Sequence, residues 1–85
     1  MNLVELTEFI VRSLVENKED VSVKEFASNE DDVILIQVMV NPSDMGKVIG
    51  KGGKIANSVR TLVQASSSLK DNKKVRINID SFEGV

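Results

Sequence analysis

The chain of 85 residues contains no cysteine, histidine, tryptophan or tyrosine. Without cysteine it has no disulfide framework, and without cysteine or histidine it lacks the usual zinc ligands. Cysteine nucleophiles and histidine-based triads are excluded for the same reason. Carboxylates and lysines could catalyse acid–base chemistry only with strongly shifted pKa values. We therefore predict a protein that is not an enzyme and that needs no metal ion or other cofactor.

Long apolar stretches are missing as well, because no run approaches the ~18 residues that a membrane span requires. The first residues, MNLVELTEFI, place acids where a secretory signal peptide would place basic residues. The hydrophobic fraction of 41% and the charged fraction of 28% are typical of a soluble globular protein. We expect one cytoplasmic domain over 1–85, with a core at about 3–80, a loose tail at 81–85 in which Phe82 can still pack, and no membrane partner.

The net charge of −2 conceals an uneven distribution of charge along the chain. Residues 1–32 carry nine acids and three bases, whereas residues 33–85 carry eight bases and four acids. A polyanion such as a nucleic acid would therefore be attracted to the second part of the chain. The alternative is that the opposite charges only keep a small protein soluble.

The first helix is predicted at about 3–16, closing near Asn17. Asn2 and Glu5 form a capping-box pattern ahead of it, and apolar residues then recur at helical spacing. Its opposite face is acidic, so this side of the protein should repel a nucleic acid.

Two strands should follow. The segment VSVKEFA at 21–27 alternates but changes phase at Phe26, which indicates a strand with a bulge or at a sheet edge. The segment VILIQVMV at 33–40 is almost entirely apolar and β-branched, which is typical of a central strand. Pro42 ends it, because proline cannot donate to a ladder.

The remaining elements are two helices and a strand. Ser43 or Asp44 can cap a short helix that runs to about Ile49. A second amphipathic helix at roughly 54–68 is indicated by an apolar series, which is Ile55, Val59, Leu62, Val63 and Ser66. The segment KVRINID at 74–80 alternates like a half-exposed strand.

The predicted order is therefore α-β-β-α-α-β, an α+β fold. Three strands and three helices in a chain of this length imply one sheet with the helices packed on one face. The two-helix connection between the second and third strands could join parallel neighbours, which would make the sheet mixed.

Four of the five glycines lie close together in MGKVIGKGG, at positions Gly46, Gly50, Gly52 and Gly53. A Walker loop is excluded because Met45 stands where its first glycine is required, and a dinucleotide fingerprint is excluded by Ile55. The pattern that fits is a GXXG loop, Gly50–Gly53, between two helices. A plain tight turn with a glycine helix end at Gly50 would explain one or two of the glycines.

The chemistry of such a loop favours phosphate binding. Glycines lack the Cβ atoms that would hold a phosphate away from the backbone. The helix that begins at residue 54 leaves N–H groups and a positive dipole end facing the loop. Lys51 lies within the loop and Lys47 and Lys54 flank it, which the plain turn does not explain.

The segment SDMGKVIGKGGKIANSVRTLV and the closing KKVRINID resemble a type II KH domain over nearly the whole chain. At greater detail they are similar to the family of small stand-alone bacterial KH-domain RNA-binding proteins called KhpA. The resemblance implies a groove that holds about four single-stranded nucleotides, with the GXXG loop on their backbone. The residues implied for RNA binding are Gly50, Lys51, Gly52 and Gly53 as clamp, Lys47, Lys54 and Arg60 as phosphate contacts, Met45, Val48, Ile49 and Ile55 as a helical wall, and Val38 and Val40 as a strand wall.

The resemblance also implies a homodimer and pairing with a larger KH-domain RNA-binding protein, in the role of an RNA chaperone or post-transcriptional regulator connected with cell shape and cell-wall organisation. Both side-chain phases of the strand at 33–40 are apolar, and Thr61 and Gln64 lie on the second amphipathic helix, so two contact surfaces are possible. An alternative function is therefore a protein-assembly module with weak or no nucleic-acid binding. Single-stranded DNA also remains open as the ligand.

Overall fold

The computed structural model describes residues 1–82, which form three helices and one three-stranded sheet. The helices are α1 (Leu3–Leu14), α2 (Met45–Ile49) and α3 (Lys54–Lys70). The strands are β1 (Ser22–Ala27), β2 (Val33–Val40) and β3 (Lys74–Ser81). Short 3-10 turns lie at Lys18–Asp20, Pro42–Asp44 and Lys51–Gly53. The predicted order α-β-β-α-α-β is confirmed.

The sheet has the strand order β1-β2-β3, so the apolar β2 is central as predicted. It pairs antiparallel with β1 and parallel with β3, which confirms the mixed sheet. The strand β1 lies at the edge of the sheet, which confirms the predicted edge position. Its pairing with β2 runs without interruption from Ser22 to Ala27, so the predicted bulge is wrong. The phase change arises because Phe26, opposite Leu35, lies on the other face of the sheet from Val23.

All three helices cover the same face of the sheet. The core contains the four even-numbered residues of β2, which are Ile34, Ile36, Val38 and Val40. They pack with Val11 of α1 and with Val59 and Val63 of α3. The odd-numbered residues of β2, with the neighbouring residues of β1 and β3 in register, form the sheet surface that no helix covers, here called the open face.

The helix α1 ends at Leu14, two residues before its predicted end. The reason is Asp44, which is completely buried and accepts hydrogen bonds from the backbone N–H groups of Glu16 (3.2 Å) and Asn17 (3.0 Å). These bonds turn the chain away from the helix axis. The predicted cap of α2 is therefore wrong, since no side chain of residues 1–82 caps that helix. Asn41 instead caps the preceding 3-10 turn, accepting from the N–H of Ser43 at 2.9 Å.

The C-terminal part of the chain departs from the prediction in three details. The helix α3 continues to Lys70, and Leu62 is 56% exposed, so it does not belong to the buried side of α3. Ser81 is still part of β3, and the N–H of Phe82 donates to the carbonyl oxygen of Val40 at 3.0 Å. These two residues are therefore not loose. The remainder of the predicted tail, 83–85, lies outside the described residues.

Candidate nucleic-acid interface

Three glycines with positive φ set the backbone conformation of the segment between α2 and α3. Gly50 (φ 74°, ψ 172°) ends α2, and its N–H donates to Gly46 at 3.0 Å. Gly52 (φ 66°, ψ 17°) and Gly53 (φ 78°, ψ 12°) are left-handed. Residues with side chains rarely adopt such angles, which explains why the glycines cluster here.

The glycines differ in what a side chain would meet. A Cβ atom on Gly50 would lie 2.6 Å from Cγ1 of Ile55, so Gly50 is required for Ile55 to pack against the loop. A Cβ atom on Gly52 or Gly53 would meet nothing within 4 Å. Gly50 is thus structural, whereas Gly52 and Gly53 present an unobstructed backbone.

The first two N–H groups of the loop take no part in the hydrogen bonds of its 3-10 turn. The N–H of Gly53 donates to Gly50 at 3.1 Å, and the N–H of Lys54 donates to Lys51. Lys51 and Gly52 are the first two residues of the 3-10 turn, so their N–H groups have no partner within it. No side chain of residues 1–82 caps the turn. The two N–H groups lie ahead of the 17-residue α3, whose dipole is positive at this end. Consecutive free N–H groups in a turn suit an anion.

The three predicted lysines have different surroundings. Lys51 and Lys54 are exposed, and neither makes an ion pair with any described residue. The ammonium of Lys47 lies 3.2 Å from Oε1 of Glu16 and 3.6 Å from Oδ1 of Asp44. The hydrogen bond to Glu16 is the main cause that raises the pKa of Lys47. Lys47 is therefore paired with carboxylates at the surface, and its role as a phosphate contact stays a prediction.

The predicted apolar walls are only partly at the surface. Met45, Ile49 and Ile55 are half-buried and retain accessible area. Val38, Val40 and Val48 have no exposed surface. We therefore remove these three valines from the contact surface, because they are core residues that support it from behind.

A candidate groove lies between α3 and β3, and its lining contains no residue of β2. The guanidinium of Arg60 donates through Nε to the carbonyl of Ile77 at 3.3 Å, at the outer edge of β3. Gln64 accepts from the N–H of Val75 at 2.8 Å and donates to the carbonyl of Lys73 at 3.0 Å. A shallow depression here is lined by Arg60, Thr61, Gln64, Ala65 and Val75.

Sequence reasoning missed Gln64 and Val75 as members of this groove. The predicted crossover already implied that β3 is the strand next to α3, and that signal could have located them. Arg60 was predicted as a phosphate contact. It lines this groove, and its Nε already donates to the carbonyl of Ile77.

Across residues 1–82, none of the helices combines the length and apolar character that crossing a bilayer demands. Within the same part of the chain, no three or more acidic side chains are grouped so that they could hold a metal ion.

A GXXG loop between two helices, beside a three-stranded sheet in the order α-β-β-α-α-β, defines a type II KH domain. The sequence model of the family described as KhpA/KhpB, KH domain, matches residues 4–79. The chain belongs to this family of binding proteins, which confirms the resemblance and the expectation that it is not an enzyme.

Several relatives match the chain over nearly their whole length. RNA-binding protein KhpA of Clostridium perfringens is 49% identical over 75 residues, which are 88% of this chain and 96% of the relative. KhpA of Listeria monocytogenes is 43% identical over 75 residues, covering 88% and 95%. KhpA of Borreliella burgdorferi is 37% identical over 78 residues, covering 92% of each.

Two solved structures have the same fold. One is Era in complex with MgGDPNP and nucleotides 1506–1542 of 16S ribosomal RNA, with a TM-score of 0.66, 14% identity and 93% of this chain covered. The other is Era of Aquifex aeolicus, with a TM-score of 0.70, 14% identity and 96% covered. The chain corresponds to 29% and 31% of those proteins, so the likeness concerns the type II KH fold alone.

Proposed function

We propose that this protein binds single-stranded RNA, gripping the sugar–phosphate backbone with the Gly50–Gly53 loop. The observation that carries the proposal is the pair of N–H groups of Lys51 and Gly52 at the start of the 3-10 turn, on a backbone that no side chain of residues 1–82 obstructs. An anion placed there would gain two charge-assisted hydrogen bonds and the positive end of the α3 dipole. The relatives' description as RNA-binding proteins supports RNA as the ligand.

The strand would leave the loop along the groove between α3 and β3. Lys51 and Lys54 lie at the loop, and Arg60 lies farther along the groove, so phosphates would meet cations at both places. The half-buried Met45, Ile49 and Ile55 offer apolar surface to the bases. KH domains hold about four nucleotides in this manner. We infer weak sequence selectivity, because Arg60 and Gln64 of the groove already form hydrogen bonds with the backbone of β3.

The cellular role that fits such a grip is that of an RNA chaperone or post-transcriptional regulator in the cytoplasm, with effects on cell shape and cell-wall organisation. We propose that it acts as a homodimer or together with a larger KH-domain RNA-binding protein. The family description, which joins KhpA with KhpB, supports a partnership between the two.

The salt dependence of RNA binding tests the backbone grip. Three or four charged contacts predict a slope of about −2 to −3 in log K against log salt, or about a 30-fold loss between roughly 50 and 200 mM. Fluorescence anisotropy with a labelled tetranucleotide measures it. The Lys51→Gln variant should have a slope shallower by about 0.7. An affinity that does not change with salt would contradict contact with phosphates.

A second candidate function, protein assembly, is favoured by two exposed leucines on α3. Leu62 is 56% and Leu69 is 88% exposed, and both lie on the side of the helix that faces away from the sheet. Buried between two copies, such side chains would stabilise a dimer. Analytical ultracentrifugation separates the functions: a dimer without RNA affinity at low salt favours assembly, and a strict monomer that binds RNA contradicts it.

A further inference from the structure

The open face of the sheet carries an aromatic ring and positive charge that the groove does not use. Phe26 is 52% exposed, and its cross-strand neighbours are Leu35 and then Arg76. The adjacent row is Lys24, Gln37 and Asn78. A cavity of about 250 Å³ lies here, lined by Phe26, Leu35, Ile36, Gln37, Arg76, Ile77 and Asn78.

We propose that the open face is a second contact surface for single-stranded RNA, on which one base stacks beside Phe26. Strands lie about 4.8 Å apart, so the Phe26 ring and the Arg76 guanidinium are attached about 10 Å apart on either side of Leu35. That spacing accommodates a flat base on Leu35, between the ring and the guanidinium. Base stacking on exposed aromatic residues of a sheet is a common mode of single-strand recognition.

The charges on the open face suit a polyanion. Three cations, Lys24, Lys74 and Arg76, share this face with one acid, Asp80. None of the three forms an ion pair within residues 1–82. The acidic α1 lies on the other side of the sheet, so the strand residues of the open face carry three positive charges and one negative charge, a net of +2. Glu30, Asp31 and Asp32 lie in the turn at one end of this face. An acidic protein surface would also meet these cations, and it is the competing occupant.

Two amide side chains of the open face offer hydrogen-bonding groups to the edge of a base. Nδ2 of Asn78 donates to Oε1 of Gln37 at 2.9 Å, and Nε2 of Gln37 lies 3.3 Å from the sulfur of Met39. These contacts hold both amides beside the cavity that they line. Oδ1 and the second amide hydrogen of Asn78 remain available for the edge of a base.

The open face adjoins the proposed groove. The inference rests on the proposed function, because the same RNA strand would run from the groove onto the open face. Arg60 holds the outer edge of β3, and Arg76 projects from the same strand onto the open face. An RNA strand that leaves the groove at the outer edge of β3 crosses β3 and β2 to reach Phe26 on β1. A longer RNA would therefore contact both surfaces, whereas a tetranucleotide would occupy the groove alone.

The test uses the absence of tryptophan in the chain. The Phe26→Trp variant introduces a single fluorophore at the site, and Phe9→Trp introduces one at a ring that is 63% exposed on α1. We expect an unstructured decanucleotide to quench the fluorescence of the first variant and not the second. Equal quenching in both, or none in the first, overturns the proposal.

Affinity provides a second readout. Loss of one stacked base costs about 5- to 150-fold in affinity. We expect that loss for Phe26→Ala and Phe26→Leu with the decanucleotide and no change with the tetranucleotide, while Phe9→Ala changes neither. If Phe26→Ala does not fold by circular dichroism, Arg76→Gln replaces it, with the same length-selective loss expected.

The outcomes separate the two proposals. Loss of tetranucleotide binding on substitution of the loop, with Phe26→Ala at wild-type affinity for both RNAs, supports the loop and overturns the open face. If wild-type protein does not bind the tetranucleotide but quenching in Phe26→Trp persists, the loop proposal fails and the open face stands. A change in sedimentation of Phe26→Ala with unchanged RNA affinity identifies a protein contact and overturns the inference.

Discussion

The double variant Lys51→Asp/Gly52→Asp is expected to lose about 100-fold or more in affinity for single-stranded RNA. The aspartate at 52 would place a carboxylate beside the N–H groups of the loop, and that at 51 would replace a cation with an anion. A hydrogen bond to a charged group is worth about 1.5–3 kcal/mol, so losing two exceeds 100-fold. The fold should persist, since both positions are exposed and Asp tolerates left-handed angles better than most residues.

The other end of α3 offers a matched control. Asn72 (φ 53°) is the one non-glycine residue with positive φ in residues 1–82, and the exposed Lys73 follows it. The Asn72→Asp/Lys73→Asp variant changes the net charge by the same amount, also at a left-handed position next to a lysine. It should keep RNA affinity within a few-fold of wild type. Equal losses in both variants would mean that net charge, not the loop, governs binding.

The second large effect is expected for stability, on replacing Asp44 with alanine. The carboxylate is completely buried and accepts from the N–H groups of Glu16 and Asn17 and from Nδ2 of Asn17 at 3.0 Å. The variant leaves these donors without an acceptor, and Lys47 loses one of its two partners. We expect the melting temperature to fall by about 10 °C or more.

Differential scanning calorimetry of Asp44→Ala and Asp71→Ala tests this expectation. Asp71 is exposed at the end of α3, and a surface change of this kind moves stability by only about 0.5 kcal/mol. If both variants melt within a few degrees of wild type, the Asp44 cluster does not hold α1 to α2, and the account of why α1 ends at Leu14 is wrong.

The loss of folding stability at low pH is expected to depend on the same Asp44 cluster. Burial alone would raise the pKa of Asp44, but hydrogen bonds from Asn17 and Glu16 and the charge of Lys47 outweigh it, and the pKa is lowered. The contribution is therefore present above the ordinary aspartate pKa of about 3.9 and is lost as pH falls through the lowered value. Wild-type stability should consequently approach that of Asp44→Asn only in strong acid.

The main features of the fold could be predicted because local signals agreed with one another. The doubly apolar β2 had to be central, and the alternation of β3 required one buried face. Two helices between them left room for a parallel connection. The end of α1 could not be predicted, since it is set by Asp44, which is remote in sequence and whose role depends on tertiary contact.

For the candidate site as well, some features could be predicted from the sequence and others required the structure. Positive φ at Gly50, Gly52 and Gly53 follows from residue type, so the loop could be predicted. The separate role of Gly50 against Ile55 required coordinates. The strand wall was misplaced because β-branched residues of β2 look alike whether they line the core or a groove. The engagement of Lys47 was missed because a sequence does not show which acid lies opposite.

The most direct test of the central claim is a nuclear magnetic resonance titration of the ¹⁵N-labelled chain with a single-stranded tetranucleotide. The amide signals of Lys51 and Gly52 should shift most, because their N–H groups, which have no partner within the 3-10 turn, are the proposed phosphate donors. Those of Gly53 and Lys54, already hydrogen-bonded within the loop, should shift less. If the signals of Lys51 and Gly52 stay in place while the RNA binds elsewhere, the loop does not grip the backbone and the account is contradicted.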